Sequence, residues 1–186
     1  MSLRTQIVRV AAFCALFLIA AADLSAQVRN SAAQPIALNA VLSDSVSVNL
    51  SANAVNFSLT PGNANNPGST AITATTTWLL KPNIGFVSTY AFFSSSASAL
   101  SDGVGDNIPS ADFQISDNGA ALKALNTTVP FGGANAGLRL SSTLILGNNK
   151  KGSHNDVMTF NINLSTIPSL PPNTYTGILT IQAQAF

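Results

Sequence analysis

From residue 35 onward, apolar side chains recur at every second position in short runs. Ile36, Leu38, Ala40 and Leu42 form the first run, followed by Val46, Val48 and Leu50, then Val55, Phe57 and Leu59. Ile72, Ala74, Thr76, Trp78 and Leu80 continue it, and Met158, Phe160, Ile162 and Leu164 repeat it late in the chain. A period of two places alternate side chains on opposite faces, so each run predicts a strand with one face in a core and one in water. Ile84 to Phe93 is apolar at both parities and predicts a strand buried on both faces. Leu138, Leu140, Leu144 and Leu146 share one parity. So do Tyr175, Gly177, Leu179, Ile181, Ala183 and Ala185 in the last run.

Turn formers divide the runs: residues 61–69 (PGNANNPGS), Lys81-Pro82-Asn83, the Ser- and Gly-rich stretch 94–109, the Gly-rich 130–137, the charged 147–155 and Pro171-Pro172-Asn173. Asp117-Asn118-Gly119 is a hairpin signal, because Asn and Gly tolerate positive φ; one short helix over 117–126 is the alternative reading. Eight to ten short strands with no sustained helical period mean a sandwich or a barrel, and the favoured reading is a single all-β, Ig-like antiparallel sandwich over residues 35–186. A transmembrane barrel is disfavoured, because Thr180, Gln182 and Gln184 put polar groups on the face that lipid would need apolar.

The first 26 residues follow a different rule. Arg4 and Arg9 precede an unbroken apolar run from Val10 to Ala22, and Leu24-Ser25-Ala26 ends in a small residue. This is the pattern of a secretory signal peptide cleaved after Ala26, with an apolar run too short to span a bilayer comfortably. Cys14 lies inside that run, so the exported chain contains no cysteine and no disulfide. Its 27–34 segment is polar and reads as a loose arm. No second apolar segment follows, so no transmembrane segment is expected in the exported chain. The expected location is outside the cytoplasm: extracellular, cell-surface or periplasmic.

Charge narrows the function classes. Only 8% of residues are charged, against about 25% in ordinary soluble domains, and there is no Glu. After residue 26, six cations (Arg29, Lys81, Lys123, Arg139, Lys150, Lys151) balance six Asp (44, 102, 106, 112, 117, 156). No basic excess exists to neutralise phosphates, which argues against nucleic acid as a partner.

Candidate chemistry is sparse. Acid–base catalysis needs paired carboxylates or a partnered His. His154 is the only His, and Ser153, His154 and Asp156 are read as neighbours in one polar loop, without a nucleophile elbow. No enzyme activity is expected. One His and no Cys exclude the usual zinc sites. Asp102, Asp106 and Asn107 in a Gly loop, with Asp112 nearby, carry the hard oxygen donors that calcium takes, and calcium is the one cofactor considered. Trp78 is the candidate platform for a glycan, although its parity with Ile72 and Leu80 points to the core. Tyr175 opens the last run after a turn and suits a tyrosine corner, its hydroxyl bonded to upstream backbone.

The closing segment 170–186, LPPNTYTGILTIQAQAF, resembles the last strand of secreted bacterial Ig-like sandwiches: spore-coat-U-like, fimbrial-subunit-like and WxL-type surface domains. The segment around Val55-Asn56-Phe57 with Pro61-Gly62, and the Trp-bearing Thr77-Trp78-Leu79, resemble them loosely. The chain departs from them in having no disulfide and only one Trp. The resemblance implies an Ig-like sandwich and a surface location.

Lys and Glu guard few sheet edges here, and Ile36, Leu38, Ala40 and Leu42 follow the loose arm. They are the residues expected to add to the sheet of a neighbour, as fimbrial subunits do. The expected function is a non-enzymatic secreted or surface structural protein, pilin-like or coat-like, assembling by strand pairing with itself or another surface protein. The alternative is an extracellular module that binds a glycan or a surface partner.

Overall fold

The computed structural model describes residues 32, 34–81 and 85–186. The signal peptide and most of the 27–34 arm lie outside the described residues. Two compact units are separated, residues 1–40 and 41–186. The second holds every strand among the described residues.

Eleven strands are present among the described residues: β1 (Ser45–Leu50), β2 (Asn66–Pro67), β3 (Ile72–Leu79), β4 (Phe86–Phe92), β5 (Leu100–Ser101), β6 (Asn107–Ile108), β7 (Phe113–Asp117), β8 (Lys123–Ala124), β9 (Gly137–Leu144), β10 (Lys151–Ile162) and β11 (Thr180–Ala185). One sheet runs β1-β3-β10-β7-β8, with β2 continuing beside β10; the second runs β11-β4-β9; β5 and β6 form a small hairpin. Every pairing between strands is antiparallel. The two larger sheets face each other across one interior, an antiparallel β-sandwich.

The alternation explains the interior. On β3, Ile72, Ala74, Thr76 and Trp78 are buried, and the intervening threonines face outward. On β10, Asp156, Met158, Phe160 and Ile162 point inward. Beyond its exposed first residue, Phe86, β4 is buried on both faces, as its composition predicts: Val87, Thr89, Ala91 and the following Phe93 turn to the core, while Phe131 covers Tyr90 and Phe92 at ring-centroid distances of 5.9 and 5.8 Å. The hairpin at residues 117–119 forms, with Asn118 and Gly119 at φ of 49° and 76°, and joins β7 to β8; no helix spans 117–126.

Three expectations are corrected. The 147–155 loop is half strand: β10 begins at Lys151 and pairs with β3 from Lys151↔Leu79 to Met158↔Ile72. His154 and Asp156 therefore sit on a strand, on its inner face. The shared parity of Leu138, Leu140, Leu144 and Leu146 breaks at an irregularity in β9 opposite Thr89/Tyr90. Leu138 and Leu140 pack against the core, while Leu144 and Leu146 are exposed. Finally, 34–44 contains no strand; its alternation has no ladder within the described chain.

Two buried amides lock the 61–68 turn. Asn66 Nδ2 donates to the carbonyls of Asn63 and Ile162, and its Oδ1 accepts from Thr60 N–H. Asn161 Oδ1 accepts from Asn66 N–H, while its Nδ2 donates to the Ala64 carbonyl and to Gln114 Oε1. Both amides are fully partnered, which is what permits their burial.

Candidate functional site: an open core between two unpaired edges

The interior has two apolar clusters. The smaller joins Trp78, Leu80, Val87 and Ile145. Trp78 is only 6% exposed and donates from Nε1 to the Asn149 carbonyl at 2.8 Å. Its ring lies over Gly152, where a Cβ would come 2.6 Å from Cζ2. The indole face is thus spent inside the sandwich, so Trp78 is a core residue rather than the glycan platform considered above.

A polar belt crosses the interior beside this cluster. Thr76 on β3 and Thr89 on β4 share a hydrogen bond of 2.9 Å. Ser141 on β9 donates to Asp156 Oδ2 on β10, also at 2.9 Å. Both bonds run from sheet to sheet. His154 Nε2 lies 3.1 Å from Asp156 Oδ1, but that oxygen takes no hydrogen bond among the described residues. Asp117, paired across β7 with Met158, is pushed above its ordinary value by burial and by the Asp156 charge, with His154 and Lys123 opposing. Ser153 faces the other side of β10 from His154, and the Ser141 hydroxyl is committed to a carboxylate. No Ser–His pair is formed by these residues.

The larger cluster is where the core opens. A cavity of about 780 Å³ enters between residues 50–59, which extend β1, and residues 172–181, which lead into β11. Its floor is Ile72, Met158, Phe160 and Ile162; its walls include Val55, Phe57, Leu179 and Ile181. Interiors normally close to crystal-like density, so a cleft of this size marks an incomplete core. The cause is topological. Among the described residues, the second sheet has three strands against the longer first sheet, and β11 ends it with β4 as its one ladder partner. β1 ends the first sheet in the same way, and the segments that flank the cleft are each tied by one bridge, Phe57 to Gly68 and Thr176 to Ser101.

One wall is held by the β5–β6 hairpin. Ser101 and Thr176 exchange both backbone hydrogen bonds at 2.9 Å. A Cβ on Gly177 would overlap the Ala99 carbonyl, so only glycine permits this approach. Asp102 Oδ1 accepts the N–H groups of Val104, Gly105 and Asp106, and Oδ2 accepts from Asn173 Nδ2 at 3.0 Å. These donors, the Val104 N–H foremost, hold the Asp102 carboxyl below its ordinary value against some desolvation. Tyr175 donates to the Pro171 carbonyl at 2.8 Å, the tyrosine corner expected of it. Partial burial, then the Asp106 and Asp102 charges, push its hydroxyl up.

The residues considered for calcium have partners within the chain. Asp102 serves as the anion inside a nest of backbone donors, and Asn107 turns its amide to the Gly105 carbonyl and the Ser98 hydroxyl. Asp112 is buried and accepts from Thr166 Oγ1. Among the described residues, no group of three or more His, Cys, Asp or Glu is placed to hold a metal ion. The assembly candidates are displayed instead: Ile36, Leu38 and Leu42 are 83%, 89% and 74% exposed, and Ala40 is exposed with them. The alternation of these four residues is legible in the sequence, their exposure is not, and the cleft leaves no mark in local alternation.

No helix among the described residues is long and apolar enough to cross a membrane. Comparison of the chain with protein-family models and with curated proteins gives no match.

Proposed function

We propose that this chain is an exported, non-enzymatic structural subunit of a surface fibre or coat, and that copies join by strand pairing. The observation that carries this reading is the open apolar cleft between two unpaired edges. The arm supplies a matching element: four apolar side chains at alternate positions, exposed and outside any ladder. An extended segment entering the cleft from a second copy completes the second sheet along β11, gains main-chain hydrogen bonds, and seats alternate side chains on the core. The near-absence of charge removes the repulsion that normally keeps sheet edges apart.

The test compares the exported chain with a version lacking 27–42, by light scattering and negative-stain microscopy. Regular assemblies are expected from the first and monomers from the second. Leu38→Asp, which puts a charge into the apolar run, is expected to act like the deletion. A synthetic peptide of residues 34–44 is expected to bind the shortened chain and raise its unfolding temperature, since a ligand of the native state stabilises it. Equal assembly with and without the arm sinks the proposal.

A further inference from the structure

A second surface stands apart from the cleft. On the outer face of the second sheet, Phe186, Phe86 and Leu144 form one row across three adjacent strands. Phe86 is in register with Leu144, and the backbones of Phe86 and Phe186 exchange hydrogen bonds of 2.9 and 3.0 Å. The two rings lie 6.0 Å apart between centroids and 33° from coplanar. All three side chains are open to solvent: 40% exposed at Phe86, 57% at Phe186 and 47% at Leu144. The next row on the same face, about 7 Å along the strands, is Gln184, Ser88 and Ser142. Ser88 is fully buried and shares a hydroxyl hydrogen bond of 2.8 Å with Ser142, so this row meets solvent through the Ser142 hydroxyl and through Gln184, which brings both a donor and an acceptor.

We propose that this face binds a neutral polysaccharide. A pyranose ring has an apolar face of C–H bonds and a rim of hydroxyls. The C–H face is complementary to the electron-rich faces of aromatic rings. The hydroxyl rim matches an amide and a hydroxyl one row away. Adjacent strands are about 4.8 Å apart, so the three-residue row spans about 10 Å, the scale of two linked sugars rather than one. None of the six side chains is charged, so these two rows offer no ion pair to a nucleic acid or a charged peptide; the exposed Arg139 is in register with Tyr90, the next outward residue of β4. Exposed apolar groups rimmed by polar ones mark a contact surface, and here the rim has hydroxyl-binding chemistry. The role that pattern analysis considered for Trp78 thus falls to two phenylalanines on the opposite side of the sheet interior. This site does not depend on assembly through the cleft.

The test is native gel electrophoresis of the exported chain through gels holding barley β-glucan, xyloglucan, glucomannan or dextran. Retardation by at least one of them is expected. Phe86→Ala with Phe186→Ala is expected to weaken it about tenfold or more, the loss typical of removing aromatic anchors. Gln184→Ala, which sits at the rim, is expected to weaken it while leaving the unfolding temperature unchanged, and Phe186→Trp is expected to retain it. If the double variant fails to fold, Gln184→Ala and Phe186→Ser carry the same reading. Full mobility in every gel, or retardation that the variants retain, overturns the proposal. So does a change in particle size without a change in retardation, which makes the face a contact between copies.

Discussion

The two apolar clusters use the same residue types and reach opposite outcomes. Around Trp78 the core is closed: the indole covers Gly152, its N–H has a carbonyl, and Leu80, Val87 and Ile145 fill the remaining space. Around Met158 and Phe160, themselves buried, the core borders a cleft of about 780 Å³. Hydrophobicity is not what separates them. The closed end lies where β3, β10, β4 and β9 overlap, with full ladders on both sides. The open end lies where β1 and β11, the two edge strands, run on as segments without ladders. A sandwich is as complete as its shorter sheet.

Truncation at the closed end has the largest expected effect. Trp78→Ala should cost about 3–5 kcal/mol in urea unfolding, because it leaves a cavity in a filled cluster and an unpaired Asn149 carbonyl. Enlargement then separates the ends. Val87→Phe should cost about 1–3 kcal/mol by overpacking, whereas Ala52→Leu, facing the cleft, should change stability by less than about 0.5 kcal/mol and suppress assembly. Equal costs at the two sites would show the cleft to be as tightly filled as the Trp78 cluster. Between them, Ser141→Ala removes the hydroxyl donor from buried Asp156 and should cost about 1–3 kcal/mol.

The smallest effects are electrostatic. Asp102 is held below its ordinary value in the folded chain, so its contribution is present above the unfolded value near 3.8 and is lost as pH falls through the folded value. Asp102→Asn should remove that acid-side slope and loosen 172–177, read as faster amide exchange there. Asp117 is shifted the other way. Its ionisation disfavours folding, so stability falls as pH rises from 3.8 through its folded value. Asp117→Asn should flatten that fall and leave the chain more stable at neutral pH, as measured by denaturant midpoints.

Local alternation was enough to place Trp78 and Ile72 in the core, to bury both faces of β4 and to mark the Asn118-Gly119 hairpin. It failed where long-range partners decide. Residues 151–156 look like a loop because Gly152, His154 and Asp156 occupy the inward positions. They are inward because Trp78 needs space over Gly152, and because Ser141 reaches Asp156 from the other sheet. The irregularity in β9 is invisible for the same reason: it is set by the register against β4. Of the site, the alternation of the arm was legible, but the same pattern predicts a half-buried strand, and the exposure of Ile36, Leu38 and Leu42 is seen only in the structure. The cleft and the Phe86–Phe186 row were not legible, being products of which strands lie side by side.

The six-pair ladder between β1 and β3 has a mechanical consequence. β1 is the first strand after the arm, so a load carried by the arm enters the sandwich through it. Ladder hydrogen bonds run perpendicular to the strand axis. Tension along that axis therefore strains all of them together in shear, while tension across it peels them one by one. A fibre whose copies are tied through this arm resists stretching along β1 and yields to a sideways pull.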